Sequence, residues 1–292
     1  MDEVIKKADV LIEALPYIMK FRGETIVVKI GGSTLENKEQ AASIIEDISF
    51  MECVGMNPVV VHGGGKAISR GLEAFGIESQ FLNGLRVTKD RAIEVVEKVF
   101  KEEVNPELIK LLSDVGAKAV ALHGDDIFEV EKKEGVCDRT GEKLDWGYVG
   151  IPVKVNAEPI KELVKKRLVP LITPLGVGPD GMVHNINADI AAAAVAGAIK
   201  ARKIAFISDV PGLMRDPEDT STLIHTLNID EVDTLKEQGV IAGGMLPKVE
   251  SGVDALKAGV KKVHFIDGRM PHSLLLEIFT DEGVGTEIIS DQ

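Results

Sequence analysis

Lys29 interrupts an otherwise apolar stretch, VVKIGG, two residues before Gly31 and Gly32. Lysine is seldom fully buried without a partner. It therefore either reaches solvent from a strand end or meets an anion at the mouth of the glycine turn. A second β-branched run, PVVV, leads to His62 and then Gly63-Gly64-Gly65. Glycine lets the backbone approach an anion closely, and the amides that open a following helix supply donors. Each turn alone is a weak signal, but two of them after neighbouring strands favour a phosphate-like ligand. Gly243-Gly244-Met245-Leu246-Pro247-Lys248 adds a glycine turn, a proline suited to a first helical turn, and a lysine. A helix N-terminus repels a cation unless an anion binds there, so Lys248 is the sharpest local misfit in the chain.

Arg86, in NGLRVT, follows an Asn-Gly turn and offers the planar fork that suits a carboxylate; a surface arginine beside a hairpin is the alternative. In NINAD, Asn187 suits an N-cap and Asp189 suits the helix dipole, which leaves Asn185 unexplained. Ser208, Asp209, Gly212 and Leu213 lie in SDVPGL, where a strand exit or a nucleotide-facing loop fits equally. Residues 176–181 match G-x-G-x-x-G, but Pro179-Asp180-Gly181 signals a turn and no helix opens there. A loop and hairpin is the reading. No G-x-x-x-x-G-K-[ST] phosphate loop occurs, and the six histidines lack metal-ligand spacing.

Strand, glycine turn and helix alternate twice within the first 76 residues, at 25–30, 38–55, 58–61 and 66–75. That rhythm predicts an α/β fold, a parallel sheet covered by helices on both faces. Before it, Val4, Ala8, Leu11, Ile12 and Leu15 recur at helical spacing, and Pro16 should kink or end that helix. Residues 128–133 and 146–155 read as a β-ribbon, and 175–181 as a boundary between halves. The α/β rhythm then resumes, with a helix near 188–200, a strand at 203–208 and a helix near 246–258. The 292 residues carry 34 Lys+Arg against 47 Asp+Glu, a net charge of −13. Such a surface disfavours nucleic acid and anionic membranes. No apolar run nears the roughly 18 residues that span a bilayer. Two cysteines without C-x-x-C spacing, Cys53 and Cys137, fit a reducing cytoplasm.

The ordered set VVKIGGS, VVVHGGG, NGLRVT, NINAD, SDVPGL and GGMLPKV resembles the amino-acid kinase superfamily and, within it, the acetylglutamate kinases. The resemblance implies a three-layer αβα sandwich around a mainly parallel sheet. It implies an N-terminal oligomerisation helix at 1–24, an amino-acid lobe at 25–178 and a nucleotide lobe at 179–292. By matching position it makes Lys29 and Lys248 the lysines that stabilise the transferring phosphoryl group, and Asp189 their organiser. Gly31 and Gly32 become phosphate donors; Gly64, Gly65, Arg86 and Asn185 become acetylglutamate contacts; Ser208, Asp209, Gly212 and Leu213 line the nucleotide pocket. ATP is the implied donor, with Mg²⁺ held through its phosphates rather than by a protein ligand set. Members with a similar N-terminal helix and C-terminal ending are arginine-inhibited hexamers built from dimers. Tyr17, Lys203, His272, Glu277 and Gly285 are then the arginine-site candidates. Lys66, where many members have proline, and the stretch 122–126 depart from the pattern. A kinase with another acceptor, such as an acidic amino acid on a carrier protein, is one alternative. A non-catalytic arginine or nucleotide sensor is another, disfavoured by the joint presence of Lys29, Asp189 and Lys248.

Overall fold

Three β-branched runs, Asn57–His62, Thr25–Ile30 and Lys203–Ser208, lie side by side as parallel strands at the centre of the computed structural model. Their burial explains the lack of polar alternation: a parallel strand covered on both faces reads as a continuous apolar run. The structure describes residues 2–136, 141–280 and 283–290, with the backbone alone at 2–4 and 6–8. Cys137 lies outside the described residues. The central sheet has eight strands, in the order Thr226–Asn228, Thr286–Ile289, Lys262–Asp267, Lys203–Ser208, Thr25–Ile30, Asn57–His62, Val169–Ile172, Ala119–Leu122. The first two run against the other six.

Helices cover both faces. Ile26, Val28 and Ile30 pack with Lys38–Cys53 and the helical stretch 91–114, whereas Val27 packs with Ala188–Ile199 and Leu246–Lys257. Side chains alternate along a strand, so Lys29 shares the face of Val27 and points towards the helix that begins at Ala188. This is the αβα sandwich that the sequence predicts. One sheet joins both halves of the chain, since Thr25–Ile30 pairs with strands from each. A small closed barrel of Phe128–Lys132, Val149–Val155, Leu175–Val177 and Val183–Ile186 sits beside it. The predicted ribbon is there; its closure by the 175–186 hairpin was not predicted. Gly178, Asp180 and Gly181 form the turn of that hairpin, with Gly181 N–H donating to Gly178.

The first helix does not end at Pro16 but runs from Asp2 to Phe21. Pro16 removes one amide, and Ile12, whose carbonyl that amide would meet, lies on the exposed side of the helix. Further along, a π-helical segment, Val99–Val104, joins Arg91–Lys98 to Asn105–Asp114 without a break. Pro106 stands in the first turn of Asn105–Asp114, directly after the π-helical segment. Among the described residues, no helix is long and apolar enough to cross a membrane. Cys53 is free and exposed.

His62 closes its strand fully buried, and burial pushes its pKa from 6.5 down to about 4. The unfolded chain therefore takes up a proton between those values that the folded chain refuses. Stability present above about pH 6.5 is lost as pH falls towards 4. Denaturant unfolding compared at pH 7.5 and pH 4.5 should lose roughly 2 kcal/mol that His62→Phe does not lose. Equal pH slopes in the two proteins would rule out this contribution.

Candidate active site

Asn187 accepts hydrogen bonds from the amides of Asp189 (2.7 Å) and Ile190 (3.3 Å), so it is the N-cap that starts Ala188–Ile199. The cap sets Asp189 in the first turn, over the carboxyl end of Thr25–Ile30. There Asp189 Oδ1 lies 2.7 Å from Lys29 Nζ, and its Oδ2 accepts from Lys248 Nζ at 3.2 Å. The side chains of Lys29 and Asp189 are each 7% exposed and that of Lys248 19%. Burial works against ionisation of Asp189, but the two ammonium groups outweigh it and hold the carboxyl below the usual carboxylate range. Burial, with Lys248 nearby, pushes the Lys29 ammonium down against the pull of Asp189. Two cations on one carboxylate leave a net positive charge beside the glycine turns.

The turns touch. Gly63 N–H donates to Ile30 at 2.9 Å, and a Cβ on Gly32 would sit 2.7 Å from Gly65 N. Only glycine permits this approach. A cavity of about 140 Å³ opens there, lined by Gly64, Gly65, Arg86, Asn185, Phe100 and Asn187 among others. Four residues singled out for one ligand thus share one cavity. Arg86 is buried, with Nη2 donating to Gly65 O (2.7 Å) and Ser69 Oγ (3.0 Å), and Nη1 donating to Ser79 Oγ. The guanidinium lies over Phe81, 4.6 Å from the ring centre, and burial lowers its pKa. Asn185 Nδ2 donates to Thr88 Oγ1 at 3.3 Å, and Thr88 donates to the Arg86 carbonyl. Ser69, Ser79, Phe81 and Phe100 carry no motif that would have singled them out, and Thr88, within NGLRVT, was not picked from it. Exposed Lys66 is not among the residues lining the cavity. Residues 124–126 make a short helical turn, whose Asp125 pairs with Lys101 at 2.7 Å.

A second cavity, of about 330 Å³, is walled by Leu213, Val240 and Met245 and includes Asp209, Gly212 and Lys248. Apolar walls with a cation at one end suit a flat ring bearing an anionic tail. Ser208 is not in its lining; its hydroxyl is buried without a partner at the strand end.

A third cavity, of about 180 Å³, collects Tyr17, Lys203 and Glu277 with Lys20, His264 and Thr280. Glu277 accepts from the Gly285 and Val284 amides at 2.9 and 2.7 Å, and its other oxygen lies 2.6 Å from His264 Nδ1. Burial opposes its ionisation, but these contacts prevail and hold its pKa low. Burial, then Lys262, brings Lys203 down to about 8. His272 lies apart, with Nδ1 2.7 Å from buried Asp47 and its amide donating to Ser43 Oγ. Among the described residues there is no cluster of three metal-ligating side chains.

Residues 24–267 match the amino acid kinase family. The acetylglutamate kinase of Heliobacterium modesticaldum is 46% identical over 99% of this chain and all of its own length. That of Carboxydothermus hydrogenoformans is 47% identical over 98% of this chain and 99% of its own. Among solved structures, an N-acetylglutamate synthase from Neisseria gonorrhoeae, complexed with coenzyme A and N-acetyl-glutamate, superposes with a TM-score of 0.83 at 29% identity. The match covers 97% of this chain but 63% of the synthase. A Giardia carbamate kinase, 15% identical with a TM-score of 0.67 over 92% of this chain and 99% of its own, shares the fold. The chain belongs to the amino acid kinase family and is a kinase, a phosphotransferase.

Proposed function

We propose that the chain transfers the γ-phosphoryl group of ATP to the side-chain carboxylate of N-acetyl-L-glutamate. The observation that carries the reading is the Lys29–Asp189–Lys248 group, with Lys29 and Asp189 buried, beside two touching glycine turns. Identity of 43–47% to acetylglutamate kinases supports the choice of acceptor. A carboxylate oxygen forms a bond to the γ-phosphorus, the bond to the β–γ bridging oxygen breaks, and ADP leaves. The acceptor, with a reference pKa of about 4.3, is already ionised near neutral pH, so no base is needed. Asp189, with a lysine on each oxygen, is an organiser of cations and not a proton acceptor. The barrier is the approach of an anion to a polyanion, and positioned positive charge lowers it. Lys29, Lys248 and the Gly31 and Gly32 amides are the groups for that task. Mg²⁺, held through the ATP phosphates and water, would screen phosphate charge.

For the acceptor, the Gly64 and Gly65 amides, Asn185 and Arg86 are the contacts. Arg86 uses three of its five N–H donors within the described residues and keeps Nε and one Nη1 hydrogen for a carboxylate. Asp209, Gly212 and Leu213, with Ser208 at the strand end behind them, form the nucleotide side. Residues 25–178 then serve mainly as the amino-acid lobe and 179–292 as the nucleotide lobe, in the cytoplasm.

Arginine is the inhibitor in this reading, bound between Lys203, Glu277, Tyr17 and Gly285, with His272 at the start of the helix that carries Glu277. An N-acetylglutamate synthase solved with coenzyme A and L-arginine has a TM-score of 0.79 to this chain at 27% identity. The helix Asp2–Phe21 exposes Val10, Leu11, Ile12, Leu15 and Met19. A second copy covering them would join dimers into a hexamer.

Lys248→Ala should lower kcat by about 10²–10³ and leave both substrate KM values within a few-fold; normal turnover in a coupled ADP assay would remove the assignment. Arg86→Ala should instead raise the KM for acetylglutamate about tenfold or more with a smaller change in kcat. An unchanged KM takes Arg86 out of the acceptor site. Deleting residues 1–22 should abolish arginine inhibition and yield dimers by light scattering; a truncated protein that stays hexameric and inhibited refutes that role.

A further inference from the structure

The triple-glycine turn has no side chains of its own to hold it, yet a buried polar chain lies beneath it. His62 Nδ1 is 3.2 Å from the Gly63 carbonyl oxygen. A carbonyl only accepts, so Nδ1 carries the proton and Nε2 of the neutral ring is an acceptor. Asn105 Nδ2 stands 3.2 Å from that Nε2, and its second hydrogen goes to the Leu171 carbonyl at 3.1 Å. The reversed amide would set two acceptors face to face at Leu171, so the orientation is fixed. Both residues are fully buried. Asn105 Oδ1 has no partner, a cost accepted where both amide hydrogens are in use.

The π-helical segment Val99–Val104 supplies the rest. In an α-helix, residues five apart project about 140° from one another. The wider i→i+5 turn reduces that separation. Phe100 and Asn105 both reach the glycine turn: the Phe100 ring meets His62 edge-on at 5.7 Å, and a Cβ on Gly64 would lie 2.9 Å from it.

We infer that His62, oriented by Asn105, is a positioning residue that fixes the Gly63–Gly64 peptide so that the Gly64 N–H faces the acceptor cavity. In a trans planar peptide the C=O and N–H point in opposite directions. A carbonyl held down onto the imidazole therefore turns the Gly64 amide outwards, into the cavity that Gly63, Gly64, Arg86 and Asn185 line. The inference rests on the acetylglutamate reading for the identity of the ligand.

Two substitutions separate the ring nitrogens. In His62→Asn the amide reaches the Nδ1 position and can still donate to Gly63. In His62→Gln it reaches the Nε2 position and cannot. Calorimetric titration with N-acetyl-L-glutamate and with ATP, beside thermal midpoints, should give an acetylglutamate Kd within about threefold of wild type for Asn. For Gln the Kd should rise about tenfold or more, the effect of one misplaced hydrogen bond. The ATP Kd should stay within about twofold in both. Equal acetylglutamate losses, no loss in either, or a parallel loss of ATP affinity overturns the inference. If His62→Gln does not fold, Asn105→Leu, which leaves the imidazole unoriented, takes its place with the same expected loss. A wild-type chain that does not bind acetylglutamate overturns the functional reading and this inference with it. A failed contrast between variants overturns the inference alone.

Discussion

Three charges held together, buried Lys29 and Asp189 with half-buried Lys248, constrain the rest of the molecule. Removing an ion from water costs several kcal/mol even after relaxation, and a buried charge left without its partner destabilises by roughly 3–5 kcal/mol. A hydrophobic trio of the same size would hold the fold at least as well. The charges are thus poor stability devices, and they are costly to keep in place. In the proposed reaction their value is field strength: a fixed positive centre screened from water acts on a developing phosphoryl charge more strongly than the same centre in bulk water.

Keeping them in place demands close packing between the elements that carry them. Lys29 belongs to a strand, Asp189 and Lys248 to two helices lying on the same face of the sheet. Ala188–Ile199 buries Ala191, Ala192, Val195 and Ala196 against that face, so its axis can lie low over Thr25–Ile30. Leu246–Lys257 lies close beside it. A Cβ on Gly197 would come within 2.7 Å of Ala258, and one on Gly252 within 2.9 Å of Val263. The alanine run, which reads in the sequence only as helix, is thus a spacing device. Larger side chains there would lift Asp189 away from Lys29 and open Asp189 to water.

The sheet, its flanking helices and the lysines at strand and helix ends were legible because their causes are local. A β-branched run, a glycine turn and a capping asparagine each act within a few residues. Lys29 stood out because it violated its strand, and Lys248 because it violated its helix. What was not legible depends on residues far apart in the chain. Closure of the small barrel pairs Val149–Val155 with Val183–Ile186. The serines that seat Arg86 have no pattern of their own. Nothing marked His62 among the six histidines, since its partner Asn105 is 43 positions away and reaches it only through a π-helical segment. The resemblance names His272 and Glu277 together, and their separate partners were equally out of reach. The backbone separates them, turning His272 to Asp47 and Glu277 to His264.

The net charge of −13 and a site for polyanions are compatible because they act over different distances. Exposed carboxylates are screened beyond about 8 Å at physiological salt, and many stand in surface pairs worth at most about 1 kcal/mol each. Lys29, Arg86 and Lys203 are each at most 7% exposed, so little counter-ion reaches them. An approaching nucleotide meets a weak, screened repulsion first and an unscreened attraction only once its phosphates enter the cleft. A ligand small enough to enter the cavities reaches the buried cations whatever the sign of the surface outside.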